Sequence, residues 1–123
     1  MGRKAGVIFL ILTLFLILSG CSGGTHVIST GKIESAKNSI IGEYGSFTGK
    51  YFKKVKLKEN ENFVVFFSEE TESGSLVAKV IDSNGKTLNI LKNGDSYKLN
   101  KPGKYKLQVE GEKHRGKFIL TWE

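Results

Sequence analysis

Gly103-Lys104-Tyr105-Lys106-Leu107-Gln108-Val109-Glu110 alternates polar and apolar side chains without a break. Successive side chains of an extended chain leave on opposite faces, so Tyr105, Leu107 and Val109 share one face and Lys104, Lys106, Gln108 and Glu110 the other. A helix would scatter the same residues around its circumference. The stretch therefore predicts a strand with one face in a core and the other in water. Before it, Asn100-Lys101-Pro102-Gly103 reads as a turn, with Pro pre-setting φ and Gly relieving the backbone. After it, Gly111 to Gly116 reads as a second turn, and Phe118, Leu120 and Trp122 return to the inner face.

Towards the N-terminus the period stays at two. Tyr97 and Leu99 mark a short strand behind an Asn93-Gly94-Asp95 turn, and Leu88 and Ile90 mark another. Asp82-Ser83-Asn84-Gly85 is a hairpin signal, because Asn-Gly tolerates the positive φ of a tight turn. Leu76, Ala78 and Val80 alternate, while Glu69 to Gly74 reads as an acidic turn. Phe63 to Phe67 is apolar on both faces, which predicts a central or loop-covered strand. From Phe47 on, Gly49, Tyr51, Lys53, Val55 and Leu57 share one face and Lys50, Phe52, Lys54, Lys56 and Lys58 the other. Lys53 and Phe52 fall on the wrong sides of that pattern, and Gly49 marks a bulge. Further upstream, Val27 to Ser29 reads as a short strand and Thr30-Gly31 as a turn, while Lys32 to Ser39 fits a helical turn or a loop.

About seven short strands with turn signals every 8 to 12 residues or so predict an all-β, antiparallel, jelly-roll-like β-sandwich, not a βαβ fold. Its expected core is Val55, Leu57, Val65, Leu76, Val80, Tyr105, Leu107, Val109, Phe118, Leu120 and Trp122.

The first residues carry a different message. Arg3 and Lys4 precede an apolar run from Val7 to Leu18, interrupted only by Thr13, and small residues Ser19 and Gly20 follow. That is the three-part layout of a secretory signal, and the run is shorter than the roughly 20 residues a membrane span needs. Leu18-Ser19-Gly20-Cys21 resembles the lipobox of bacterial lipoproteins, in which the Cys thiol receives diacylglycerol and becomes the first mature residue. The resemblance implies a covalent lipid on Cys21, attachment to the membrane and a place on its extracytoplasmic face. Ser22 to His26 reads as a small polar spacer lifting the domain from the bilayer. The expected organisation is a signal peptide (1–20), a lipidated Cys with tether and a first strand (21–45), and a sandwich domain (46–123).

Removing the first 20 of 123 residues, Arg3 and Lys4 among them, leaves 103 with 17 basic against 12 acidic side chains, a formal charge of +5. This is the size of one domain with a self-sufficient core. The excess is nearly all Lys, and Arg115 is the sole guanidinium left. Lys without Arg argues against base reading, so no nucleic acid is expected, and attraction to an anionic envelope is the more economical reading. Lys54, Lys56 and Lys58 on one strand and Lys104 and Lys106 on another form the expected ligand surface, with Tyr51 and Phe52 beside it. The alternative makes these lysines solubilising side chains that blunt strand edges.

For catalysis no nucleophile stands beside a base. His26 lies in the tether, and His114 in Glu112-Lys113-His114-Arg115 reads as a solvated loop residue. Cys21 is consumed by lipidation, which removes thiol chemistry. Asp82, Asn84 and Asp95, with Glu69, Glu70 and Glu72, are weak oxygen-ligand candidates for calcium, but Asp82 to Gly85 is explained by its turn.

The closing stretch, Gly103 to Gly111 and then Gly116-Lys117-Phe118-Ile119-Leu120-Thr121-Trp122, resembles the last two strands of pre-peptidase C-terminal and CUB-like β-sandwich modules. Those modules carry an earlier D-x-x-G-K hairpin, matched here by Asp82, Gly85 and Lys86. With the lipobox, the whole chain resembles the short lipoproteins of low-GC Gram-positive bacteria. The resemblance implies an accessory module without catalysis, of a kind that in some members binds calcium or polysaccharide. The sequence thus predicts a lipid-anchored, non-enzymatic module for anionic or polysaccharide envelope components, such as a cell-wall polymer, or for an envelope protein. A structural envelope lipoprotein without a ligand and an accessory calcium-binding sandwich are the alternatives.

Overall fold

The computed structural model describes residues 22–123; the signal segment and the lipidation expected at Cys21 lie outside the described residues. The described chain is all-β and antiparallel: β1 (Ser22–Gly23), β2 (His26–Ala36), β3 (Ser39–Leu57), β4 (Phe63–Asp82), β5 (Thr87–Leu91), β6 (Ser96–Leu99) and β7 (Gly103–Trp122). The strand order is β1-β3-β7-β4-β5, with β2 also on β3 and β6 also on β4.

Three of these strands are 19 or 20 residues long, and each serves both layers of the sandwich. The change of layer is visible in the parity of burial. On β3, Ile40 and Tyr44 are buried before two register shifts, Phe47 between them and Leu57 after them. On β4, Val65 and Phe67 give way to Leu76, Ala78 and Val80 across the shifts between Thr71 and Ser75. On β7, Tyr105, Leu107 and Val109 give way to His114, Phe118, Leu120 and Trp122. Side chains alternate strictly along a regular strand, so an inner face that moves from even to odd positions requires an irregularity at the bend. Gly74 supplies part of it: its φ is +76°, and a Cβ there would lie 2.1 Å from the Lys113 carbonyl oxygen.

Two sequence expectations are corrected here. Glu69–Gly74 and Gly111–Gly116 are not turns between strands but the bends of β4 and β7, whose backbones stay paired on either side. Gly- and Glu-rich composition is shared by turns and by bulged, strongly bent strands, so the two read alike. Lys32 to Ser39, open in the sequence, is the end of β2, a turn at Lys37-Asn38 and the start of β3.

All the expected core residues except Val55 are buried, and Val55 packs half-buried against them. Within one layer Phe67 and Phe118 lie 6.3 Å apart between centroids, and between the layers the Lys53 ammonium lies 5.7 Å from the Trp122 ring. That contact explains a lysine on an apolar face, since the stem crosses the core and Nζ reaches the Ala36 carbonyl in the other layer. At the β6–β7 turn the Tyr105 hydroxyl donates to the Lys101 carbonyl at 2.6 Å, tying the strand start to the preceding loop.

Candidate binding face

The outer face of the layer built from Gly49–Leu57, Gly103–Gly111 and Ser75–Asp82 is set by the same alternation. With Leu57, Leu107, Val109 and Val80 inside, Lys54 and Lys56 of β3, Lys104 and Lys106 of β7, and Lys79 and Ile81 of β4 point outward. The sequence places two lysine rows on two strands; the fold makes those strands neighbours. In the β3–β7 register Lys54 stands opposite Lys106 and Lys56 opposite Lys104. Strand spacing is about 4.8 Å and alternate residues on a strand are about 6.7 Å apart, so the four stems form a compact rectangle. Lys58 lies one residue past the end of β3, exposed, where its backbone N–H donates to the Glu61 carboxylate at 2.8 Å.

The charge on this rectangle is not neutralised. Some basic side chains elsewhere have acidic partners: Lys32 with Glu34 at 2.6 Å, Arg115 with Glu72 at 2.9 Å, Lys117 with Glu70 at 3.5 Å. At the far end of the same face Glu110 takes both Lys79 at 2.8 Å and Lys50 at 3.6 Å, and accepts from Gln108 at 2.8 Å. The Lys79 hydrogen bond and charge, with Gln108 and Lys50, hold the Glu110 carboxyl below the usual carboxylate range against a smaller opposing effect of burial. Lys54, Lys56, Lys104 and Lys106 take part in none of the ion pairs among the described residues. An open groove of about 520 Å³ is lined by these four lysines together with Ile81 and Asp82.

Phe52, out of place in the sequence pattern, has a role on this face. Its ring lies 4.6 Å below the Lys106 ammonium, a cation–π contact that holds that side chain over the sheet. Across the edge, Phe52 is paired with Gly23 of β1. Neither contact is visible to a pattern reading, because both join residues distant in sequence.

Two of the weak calcium candidates, Asp82 and Asp95, serve their turns through one carboxylate oxygen each. The Asp82 carboxylate accepts from the Asn84 and Lys86 amides at 2.9 Å each, and Asp95 accepts from the Lys92 amide at 2.9 Å. Among the described residues no three His, Cys, Asp or Glu side chains are grouped to hold a metal ion.

His114 is the largest departure from the sequence reading. Expected in a solvated loop, it is fully buried at the β7 bend. The Tyr44 hydroxyl lies 2.7 Å from Nδ1 and the Thr71 hydroxyl 2.8 Å from Nε2; Thr71 donates in turn to Glu69 at 3.0 Å. The network assigns a neutral ring with its proton on Nε2, accepting from Tyr44 and donating to Thr71. Burial pushes the imidazole below its ordinary pKa, against the charge of Glu69 with Oε2 at 4.0 Å, and burial followed by the same charge pushes the Tyr44 phenol up. With every bonding position of the ring spent inside the protein, the group is structural.

No family model matches the sequence, and no curated protein does. Among solved structures the chain is similar to the carbohydrate-binding module TmCBM61 in complex with β-1,4-galactotriose, at 13% identity over 85% of this chain and 88% of that one, TM-score 0.49. It is also similar to the pre-peptidase C-terminal domain of a collagenase from Bacillus anthracis, at 13% identity over 81% and 89%, TM-score 0.48. A third is the family 11 carbohydrate-binding module of a cellulosomal cellulase from Clostridium thermocellum, at 13% identity over 81% of each chain, TM-score 0.37. Likeness at this level is one of strand architecture and does not extend to ligand.

Proposed function

We propose that this chain is a lipid-anchored, extracytoplasmic, non-catalytic module that binds anionic components of the cell envelope through Lys54, Lys56, Lys104 and Lys106. The anchor rests on the lipobox at Leu18 to Cys21 and the apolar run before it. The single observation that carries the binding reading is the register that sets Lys54 against Lys106 and Lys56 against Lys104 with no acid between them. Like charges directly opposite on a sheet destabilise it by about 0.2 to 1 kcal/mol per pair, so the unliganded face carries a repulsion that a polyanion relieves. The neighbouring ion pairs show that the same fold neutralises lysines where it has acids at hand. Charge of this kind steers association and is screened beyond about 8 Å at physiological ionic strength, so the interaction weakens as salt rises.

The test is retention of the full-length chain on purified anionic wall polymer, wild type against Lys54→Glu/Lys56→Glu/Lys104→Glu/Lys106→Glu, with circular dichroism confirming the fold. Retention at low salt that disappears in the quadruple variant supports the reading. Equal retention leaves the lysines as solubilising side chains only. For the anchor, Cys21→Ala is expected to leave an uncut, mislocalised precursor.

A further inference from the structure

The residues between the lipobox and the sandwich are not a slack spacer. The sequence reads Ser22 to His26 as a tether lifting the domain away from the bilayer; in the fold Ser22–Gly23 is a strand on the edge of β3, with Gly23 opposite Phe52 and Ser22 opposite Lys53. The Lys50 amide donates to the Thr25 carbonyl at 2.9 Å, so the docking continues toward β2. Gly24 has φ of +123°, and a Cβ there would lie 2.2 Å from the Lys50 carbonyl oxygen. Only glycine lets the segment approach this closely. Flexible tethers and close backbone contacts draw on the same small amino acids, so the two read alike in the sequence.

This docking decides where an anchor on residue 21 leaves the domain. The antiparallel register runs from Gly23 opposite Phe52 to Ser22 opposite Lys53, towards Lys54. Residue 21 is one peptide unit, about 3.8 Å between Cα atoms, beyond Ser22. From β1 across β3 to β7 is two strand spacings, roughly 10 Å. Counting the rise along the strands as well, Lys54 and Lys106 stand roughly 6 and 10 Å from Ser22, about one Debye length, and Lys56 and Lys104 roughly 11 and 14 Å. A lipid on Cys21 brings that sheet edge to the headgroups with almost no slack.

We infer that the lysine face is the membrane-facing surface of the anchored protein, and that its ligand is the anionic phospholipid headgroups of the bilayer holding the anchor. The inference rests on the proposed basic-face function and on lipidation at Cys21. Lysyl stems reach from the sheet to phosphate level, and Phe52 under Lys106 adds an aromatic ring on the same face. The other layer suits the side turned away, since its outward lysines Lys32 and Lys117 are paired with Glu34 and Glu70, and Lys98 on β6 stands opposite Val64 and not opposite another lysine.

The test uses the full-length lipidated chain, reconstituted into vesicles of phosphatidylcholine alone or with roughly one-third phosphatidylglycerol, and footprinted with an amine-reactive label read by mass spectrometry. Labelling of Lys54, Lys56, Lys104 and Lys106 is expected to fall about five-fold on the anionic vesicles, the ratio equivalent to about 1 kcal/mol per lysine at an anionic surface. Lys32 and Lys117 serve as references and should not change, and molar salt should abolish the difference. The same labelling on both vesicle types overturns the inference, as does a purified protein whose mass lacks the lipid. Adding wall polymer to the phosphatidylcholine vesicles separates the two readings. Protection by polymer but not by anionic lipid sinks the membrane inference and leaves the binding function standing; protection by neither sinks both.

Discussion

Acidification from about pH 7.5 to about 5.5 is expected to destabilise this protein through one buried side chain, His114. The ring is fully buried and neutral in the fold, between the Tyr44 and Thr71 hydroxyls. Its pKa in the folded protein lies below the ordinary 6.5, chiefly because burial disfavours the charged form. The unfolded chain therefore binds the proton first. Stability is fully present above about 6.5 and is lost as pH falls from there towards the lower folded value. His114→Leu removes this titration but leaves the buried Tyr44 hydroxyl without its partner, whereas Thr71 keeps Glu69. One orphaned buried hydroxyl costs about 1 to 3 kcal/mol, so the variant should be less stable at pH 7.5 by that amount. Adding Tyr44→Phe removes the orphan and should recover most of the loss, since replacing both partners by apolar groups is nearly neutral. Urea unfolding followed by Trp122 fluorescence measures all three proteins at both pH values. Wild type should lose stability on acidification and the variants should lose less. Glu110, the carboxyl held below its usual range, titrates below this window and does not confuse the comparison. A His114→Leu protein that loses as much stability as wild type would refute the assignment of the acid sensitivity to this ring.

Three further outcomes are expected. Trp122, 2% exposed and under the Lys53 stem, should cost about 3 to 5 kcal/mol as Trp122→Ala in equilibrium unfolding, and a loss under about 1 kcal/mol would contradict its place in the core. Lys104→Glu replaces a like-charge cross-strand pair with an opposite one, so thermal unfolding should show a gain of about 0.2 to 1 kcal/mol while retention on anionic polymer falls; a loss of stability would mean the repulsion is not real. Gly24→Val forces a side chain into the Lys50 carbonyl and should strip β1 from β3, raising hydrogen exchange at the Lys50 amide while the core amides of β7 stay protected.

The period of two from Tyr105 to Val109, and again over Leu76 to Val80, determined strand, inner face and most of the core from the sequence alone. Alternation is a local property that the backbone imposes on any half-buried strand, which is why ten of the eleven expected core residues are buried. The Asp82 to Gly85 hairpin was legible for the same reason, since its turn is held by the Asp82 side chain within four residues. The bends of β4 and β7 were not legible. There the inner face changes parity, so a turn, which ends a strand, and a bulge, which redirects it, leave the same break in the pattern. His114 was misplaced as a consequence, because its burial depends on Tyr44 and Thr71, 70 and 43 residues away in the chain. Likewise the sequence supplied two rows of lysines, but only the pairing of β3 with β7 made them one surface, and only the pairing of β1 with β3 set Ser22 at its edge. Charge and periodicity are written residue by residue, whereas adjacency of strands distant in sequence is settled by which faces bury together, a decision that belongs to the whole chain.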